Sequence, residues 1–184
     1  ARLKELQRKL KEKRRLSHNK LANKILEMGI KVKVEDMNYQ GLQKRSKKTE
    51  ISEKTGRYKK KKRYGKSLLN YAPAMLLTII DTKLKYYGEE LIKIDTIKVK
   101  ASQYNHIEDT YKKKKLSERW NILGDNKVQR DLYSAFIIKN VKDDLKSIDR
   151  NKMIKEYSKF LELHNKEIER IKNSDMKTLK CMGF

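Results

Sequence analysis

The sequence predicts an α/β fold with long helices. Three observations carry that expectation. Segments 30–36 (IKVKVED) and 90–96 (ELIKIDT) alternate apolar and polar residues with strand period. Between them, Met75, Leu76, Ile79, Ile80, Leu84 and Tyr87 form one apolar helical stripe. Helical periodicity returns at both ends of the chain, over 2–28 and 150–172. A helix between two strands is the signature of a parallel pair joined by a crossover.

Each element has local reasons. In 2–28, Leu3, Leu6, Leu10, Leu21, Ile25 and Met28 recur mostly every three to four residues, and Gly29 is a natural stop. The pattern is interrupted near Ser17, where a break would make a helical hairpin. Asn38 and Gly41 are expected to end the first strand. Pro73 suits the first turn of the central helix, and Gly88 closes it. Segment 97–128 reads as irregular and polar, with Trp120 its one large apolar residue. Asp131 opens another helix carrying Leu132, Ala135, Phe136 and Ile138. The final helix has Met153, Tyr157, Phe160, His164, Ile168 and Ile171 on one face, and the last dozen residues read as a loose tail.

Composition bounds the function. The 184 residues fit one domain, or part of one, with a modest core. Lys and Arg number 48 against 24 acidic residues, a net charge of +24. That excess argues against an acidic enzyme or a neutral secreted module and makes a polyanion the default partner, since each cation set against a phosphate releases counterions. An AT-rich genome would also favour lysine codons. The single cysteine, Cys181, excludes a disulfide framework and a four-cysteine zinc site. No signal peptide is recognisable, no apolar window is long enough for a membrane span, and a cytoplasmic location is expected. A start at Ala1 and not Met leads to the expectation of a processed or truncated product.

The charge is uneven. Residues 1–66 hold 24 basic and 7 acidic side chains, whereas 143–184 hold 10 and 8. Within the front part, 43–66 carry 12 basic and two acidic side chains with no apolar period, which reads as a long mobile loop. Lys44, Arg45, Lys47, Lys48, Arg57, Lys59, Lys60, Lys61, Lys62 and Arg63 are the candidate nucleic-acid contacts. A solvated lysine tract is the plainer reading. Tyr58 and Tyr64 flank the densest run and suit stacking on unpaired bases.

Two acids stand out by position. Glu35 ends an apolar strand, placing a carboxylate at the C-terminal edge where open α/β sheets gather ligands. Asp131 opens a helix, where a carboxylate also complements the helix dipole. For each alone, the structural reading competes: a strand-end acid facing water, or a dipole partner. Asp36 points to the face opposite Glu35. Other chemistries lack their residues. His18, His106 and His164 are scattered, and His164 reads as a packed histidine. The spacing of Gly56 and Gly65 fits no phosphate loop, Cys181 has no base at hand, and no nucleophile elbow occurs.

The motifs in order resemble one family. VKVEDMNYQGL at 32–42 resembles the second acidic motif of the RuvC-type nuclease domain in TnpB proteins of insertion sequences. The 73–87 helix and ELIKIDT follow as in that family. Ser102 and Gln103 match the Ser-Gln before its zinc ribbon, and LSERWNI at 116–122 resembles the ribbon's second half. QRDLYSAFIIKNV at 129–141 resembles the third acidic motif.

The resemblance implies a partial RNase H-like, RuvC-type domain over 1–141, with 97–128 a degenerate ribbon insertion and 142–184 a helical extension and tail. It implies an RNA-guided DNA endonuclease of a transposable element, with DNA and guide RNA as partners and no membrane. Glu35 and Asp131 would be two of three carboxylates holding a pair of Mg²⁺ ions, an arrangement that activates water and stabilises the leaving oxygen of a phosphodiester. The family's first acidic motif, an Asp, has no counterpart in 1–184, nor have the three strands around it. The ribbon cysteines have none at 104–107 and 122–125, so zinc is not expected. Residues 1–184 alone are therefore expected not to cut DNA. The alternative is a non-cleaving RNA- or DNA-binding protein derived from such a nuclease.

Overall fold

In a computed structural model the described residues are 2–44, 49–58, 65–115, 117–174 and 183. Along the chain the elements are α1 (Arg2–Met28), β1 (Lys33–Glu35), α2 (Tyr39–Gln43), α3 (Gly65–Tyr71), α4 (Pro73–Lys85), β2 (Ile92–Ile94), α5 (Thr96–Val99), β3 (Tyr104–Asn105), β4 (Thr110–Tyr111), β5 (Trp120–Leu123), β6 (Asn126–Gln129), α6 (Arg130–Lys139) and α7 (Arg150–Lys172). Helices mixed with small two-stranded sheets make this an α/β chain. It divides into two compact units: residues 1–32 with 37–92, and residues 33–36 with 93–184.

The first unit is helical. α1 runs unbroken through Ser17, so no helical hairpin forms there. Its second half packs on α4 through Ala22, which is fully buried, with Ile25 and Leu26 partly so. The first half does not bury the predicted leucine stripe: Leu3, Leu6 and Leu10 are 50–69% exposed. Periodicity records which side of a helix is apolar, not whether another element covers it. α4 begins at Pro73 as expected, and a left-handed Gly88 (φ +73°) follows its end. Asn38 does not simply end a strand; its side chain accepts from Gly41 N at 2.8 Å and caps the short α2. The described part of the basic segment is more ordered than a mobile loop. Ile51 and Tyr58 form an antiparallel bridge, closed by Ser52 N donating to Arg57 O at 2.9 Å.

The second unit holds the sheets and the main core. Ile92 N donates to Val32 O and Asp36 N to Ile94 O, so partners advance in step along β1 and β2, the parallel pattern. The strands are shorter than the alternating segments that predict them. Residues 97–128 are not irregular. β3 pairs antiparallel with β4, and β5 with β6, the latter through the two-residue turn Gly124–Asp125 with Gly124 at φ +57°.

These hairpins close over α6 and α7. Ile94, Val99, Leu123, Val128, Ile137 and Met153 are buried together with Tyr104, Tyr133 and Phe136. Phe136 and Phe160 stack between the two helices at 4.4 Å. α7 matches its predicted span, and it packs on α6 and β6, so residues 142–172 continue this unit. Asp149 caps it by accepting from Lys152 N at 3.0 Å. Asp149→Ala is expected to cost about 1 kcal/mol of stability, read from urea unfolding.

Candidate functional site

β1 and α6, the two elements that carry the sequence-predicted acids, pack against each other in the second unit. Lys33 ties them. Its Nζ donates to Val141 O at 2.6 Å and Lys139 O at 3.4 Å, satisfying carbonyls that the end of a helix leaves free.

Glu35 ends β1 and is half-buried. Burial pushes its carboxyl above the usual carboxylate range, and no hydrogen bond or ion pair holds it among the described residues. Asp36, next along, is exposed. Asp131 lies exposed in the first turn of α6. The cap of that helix is Gln129, whose Oε1 accepts from Asp131 N at 2.7 Å and Leu132 N at 2.9 Å. The same Gln129 uses its Nε2 to donate to Asp131 Oδ2 at 3.3 Å. Gln129 is 1% exposed, and its backbone N donates to His164 Nε2 at 2.9 Å. His164 is thus the packed histidine the sequence indicates. No cluster of three or more His, Cys, Asp or Glu groups that could hold a metal occurs among the described residues.

Both acids offer hard oxygen donors, with no cation paired to them among the described residues. Glu35 is partly desolvated and unpaired, while Asp131 meets a neutral amide. That chemistry suits a divalent ion such as magnesium.

The hairpin segment is held by side chains that sequence reasoning passed over. His106 is 1% exposed. The Tyr133 hydroxyl accepts from His106 N at 3.1 Å and lies 2.6 Å from its Nδ1, pinning the β3–β4 turn to α6. Burial, and then the Arg150 charge, lower the His106 pKa. Arg150 clamps the turn from α7, donating through Nε to His106 O at 2.8 Å and through Nη2 to Ile107 O at 2.9 Å. Apart from the burial of Tyr104 and Tyr133, the sequence signal for this arrangement is slight.

Of the predicted nucleic-acid contacts, Lys44 and Arg57 are exposed. Arg45, Lys47, Lys48, Lys59, Lys60, Lys61, Lys62 and Arg63 lie outside the described residues, as does Tyr64. In the first unit the cations Lys4, Lys11 and Arg15 project from α1 with no ion pair among the described residues, whereas Arg8 and Lys9 pair with Glu12 and Glu5. No described helix is long and apolar enough to cross a membrane. Comparison with family models, curated proteins and solved structures finds no match for this chain.

Proposed function

We propose that this chain is the C-terminal part of a RuvC-type, TnpB-like nuclease, in which Glu35 and Asp131 are ligands to divalent ions that cut DNA under the guidance of an RNA. The observation that carries the reading is the placement of these two acids. One ends a parallel strand, the other opens the helix packed on that strand, and among the described residues neither is paired with a cation. Motifs nearly a hundred residues apart in sequence thus fall on neighbouring elements of one unit. The paired hairpins between them occupy the ribbon's place in the family order.

Bound magnesium would supply a polarised water and charge neutralisation at the scissile phosphate. The chain's own residues do the rest. Gln129 donates to one carboxylate oxygen of Asp131, and Lys33 holds the Glu35 strand to the Asp131 helix. The +24 charge supplies the grip on phosphates.

The first test is ion binding by this chain. Manganese titration followed by electron paramagnetic resonance is expected to show a weak site that Glu35→Gln and Asp131→Asn each weaken about tenfold. Equal binding by both variants would remove the reading. Residues 1–184 alone are expected not to cut DNA, because two carboxylates hold an ion pair poorly.

The net charge favours a second reading, a nucleic-acid binder without cleavage. It predicts salt-dependent binding with no cutting in magnesium or manganese by the full-length protein.

A further inference from the structure

Residues 112–115 are four consecutive lysines, and the structure does not leave them as a free tract. Lys112 N donates to Gln103 O at 2.9 Å. The Lys114 ammonium donates to Oδ1 of Asn121, a residue 3% exposed, at 2.5 Å. Arg130, half-buried at the start of α6, donates through Nη1 to Lys115 O at 3.2 Å and to Glu118 O at 3.3 Å. Its own backbone N donates to Arg119 O at 2.9 Å. The run is therefore fixed at three points, with the side chains of Lys112, Lys113 and Lys115 exposed to solvent. Burial, and then the Arg130 charge, lower the Lys114 pKa.

Arg130 acts here as a tie: its guanidinium holds the Lys115 and Glu118 carbonyls to the start of α6, and the next residue in the chain is Asp131.

We propose that the lysine run anchored by Arg130 grips the phosphate backbone of a nucleic-acid strand beside Asp131. This rests on the nucleic-acid partner of the reading above and not on its metal chemistry. The lysines supply charge without sequence preference, and Arg130 holds the run in place through its bonds to the Lys115 and Glu118 carbonyls. Segment 43–66, nominated from composition, lies elsewhere in the chain and in the other unit.

The test uses the whole chain, a labelled single-stranded oligodeoxynucleotide and EDTA, so that metal binding plays no part. Each phosphate neutralised on a single strand contributes about 0.7 to the slope of log affinity against log salt. The triple variant Lys112→Ala, Lys113→Ala, Lys115→Ala is expected to lower that slope by about 2. A control triple, Lys152→Ala, Lys155→Ala, Lys159→Ala on the exposed side of α7, removes equal charge from the same unit and is expected to change it by less than half as much. Arg130→Lys keeps the charge and loses the paired bonds that hold Lys115 O and Glu118 O, so affinity should fall severalfold with little change in slope. Because EDTA removes metal, a failure here leaves the carboxylate reading to be decided by the manganese titration alone. Equal slopes in the two triples, or no binding by the parent chain, would overturn the proposal.

Discussion

Cleavage by the full-length protein with its guide RNA in magnesium is expected to fall at least ~100-fold in Glu35→Gln. The amide keeps the shape of the side chain and loses the charge that holds a hard cation. Metal-ion catalysis contributes several kcal/mol of transition-state stabilisation, so losing a ligand reaches this size. The loss is separable from misfolding. Burial raises the Glu35 pKa, so its ionised form is the less comfortable one in the folded chain. That contribution to stability is present below the unfolded carboxylate pKa and lost as pH rises through the higher folded value. At neutral pH the Gln variant should therefore be as stable as the parent, or more stable by no more than ~1 kcal/mol, since the side chain is only half-buried. The same shift bears on ion binding: manganese affinity should fall on acidification sooner than for an ordinary carboxylate, as a proton competes with the ion for Glu35. Full cleavage by Glu35→Gln would end the nuclease assignment.

Tyr133→Phe is expected to cost the second unit about 1–3 kcal/mol, because the buried His106 loses both partners at once. The phenol oxygen meets a backbone N–H and a ring nitrogen in a place with little access to water. The substitution keeps the ring that packs against Phe136 and Phe160, so the hydrogen bonds are what is measured. Acid should have a related effect. His106 has its pKa lowered from 6.5 by burial and then by Arg150. A histidine held neutral contributes stability above its unfolded pKa, and that stability is lost as pH falls from there toward the folded value. Urea midpoints should thus drop between neutral pH and about pH 5, and His106→Gln should flatten the drop. An unchanged midpoint for Tyr133→Phe would mean that packing alone holds the hairpin.

Legibility in the sequence followed the range of the forces involved. Helix ends are set by local chemistry, so Gly29, Pro73 and Gly88 marked them well, and the α7 face was readable from Met153 to Ile168 at helical spacing. The hairpins were missed because their strands bury polar residues, Asn121 and Gln129, in place of an apolar alternation. The Gly124–Asp125 pair between two four-residue strands was the signal available. The α1 leucine stripe misled in the opposite way, being regular in sequence yet exposed over its first half. For the site, Glu35 and Asp131 were visible as acids at element ends. Gln129 and Lys33, which hold them, were not.

By itself the sequence determined the α/β alternation, the long terminal helices, the excess of positive charge and the position of each acid at the edge of its element. Backbone preference, side-chain period and composition act over a few residues and need no knowledge of what lies across the fold. The structure alone decided that the strand of Glu35 lies against the helix of Asp131, that Tyr133 and Arg150 hold the turn at His106, and that Arg130 anchors a lysine run fifteen residues upstream. Those contacts join residues distant along the chain, and a hydrogen bond between them exists only once loop closure has brought donor and acceptor within about 3 Å.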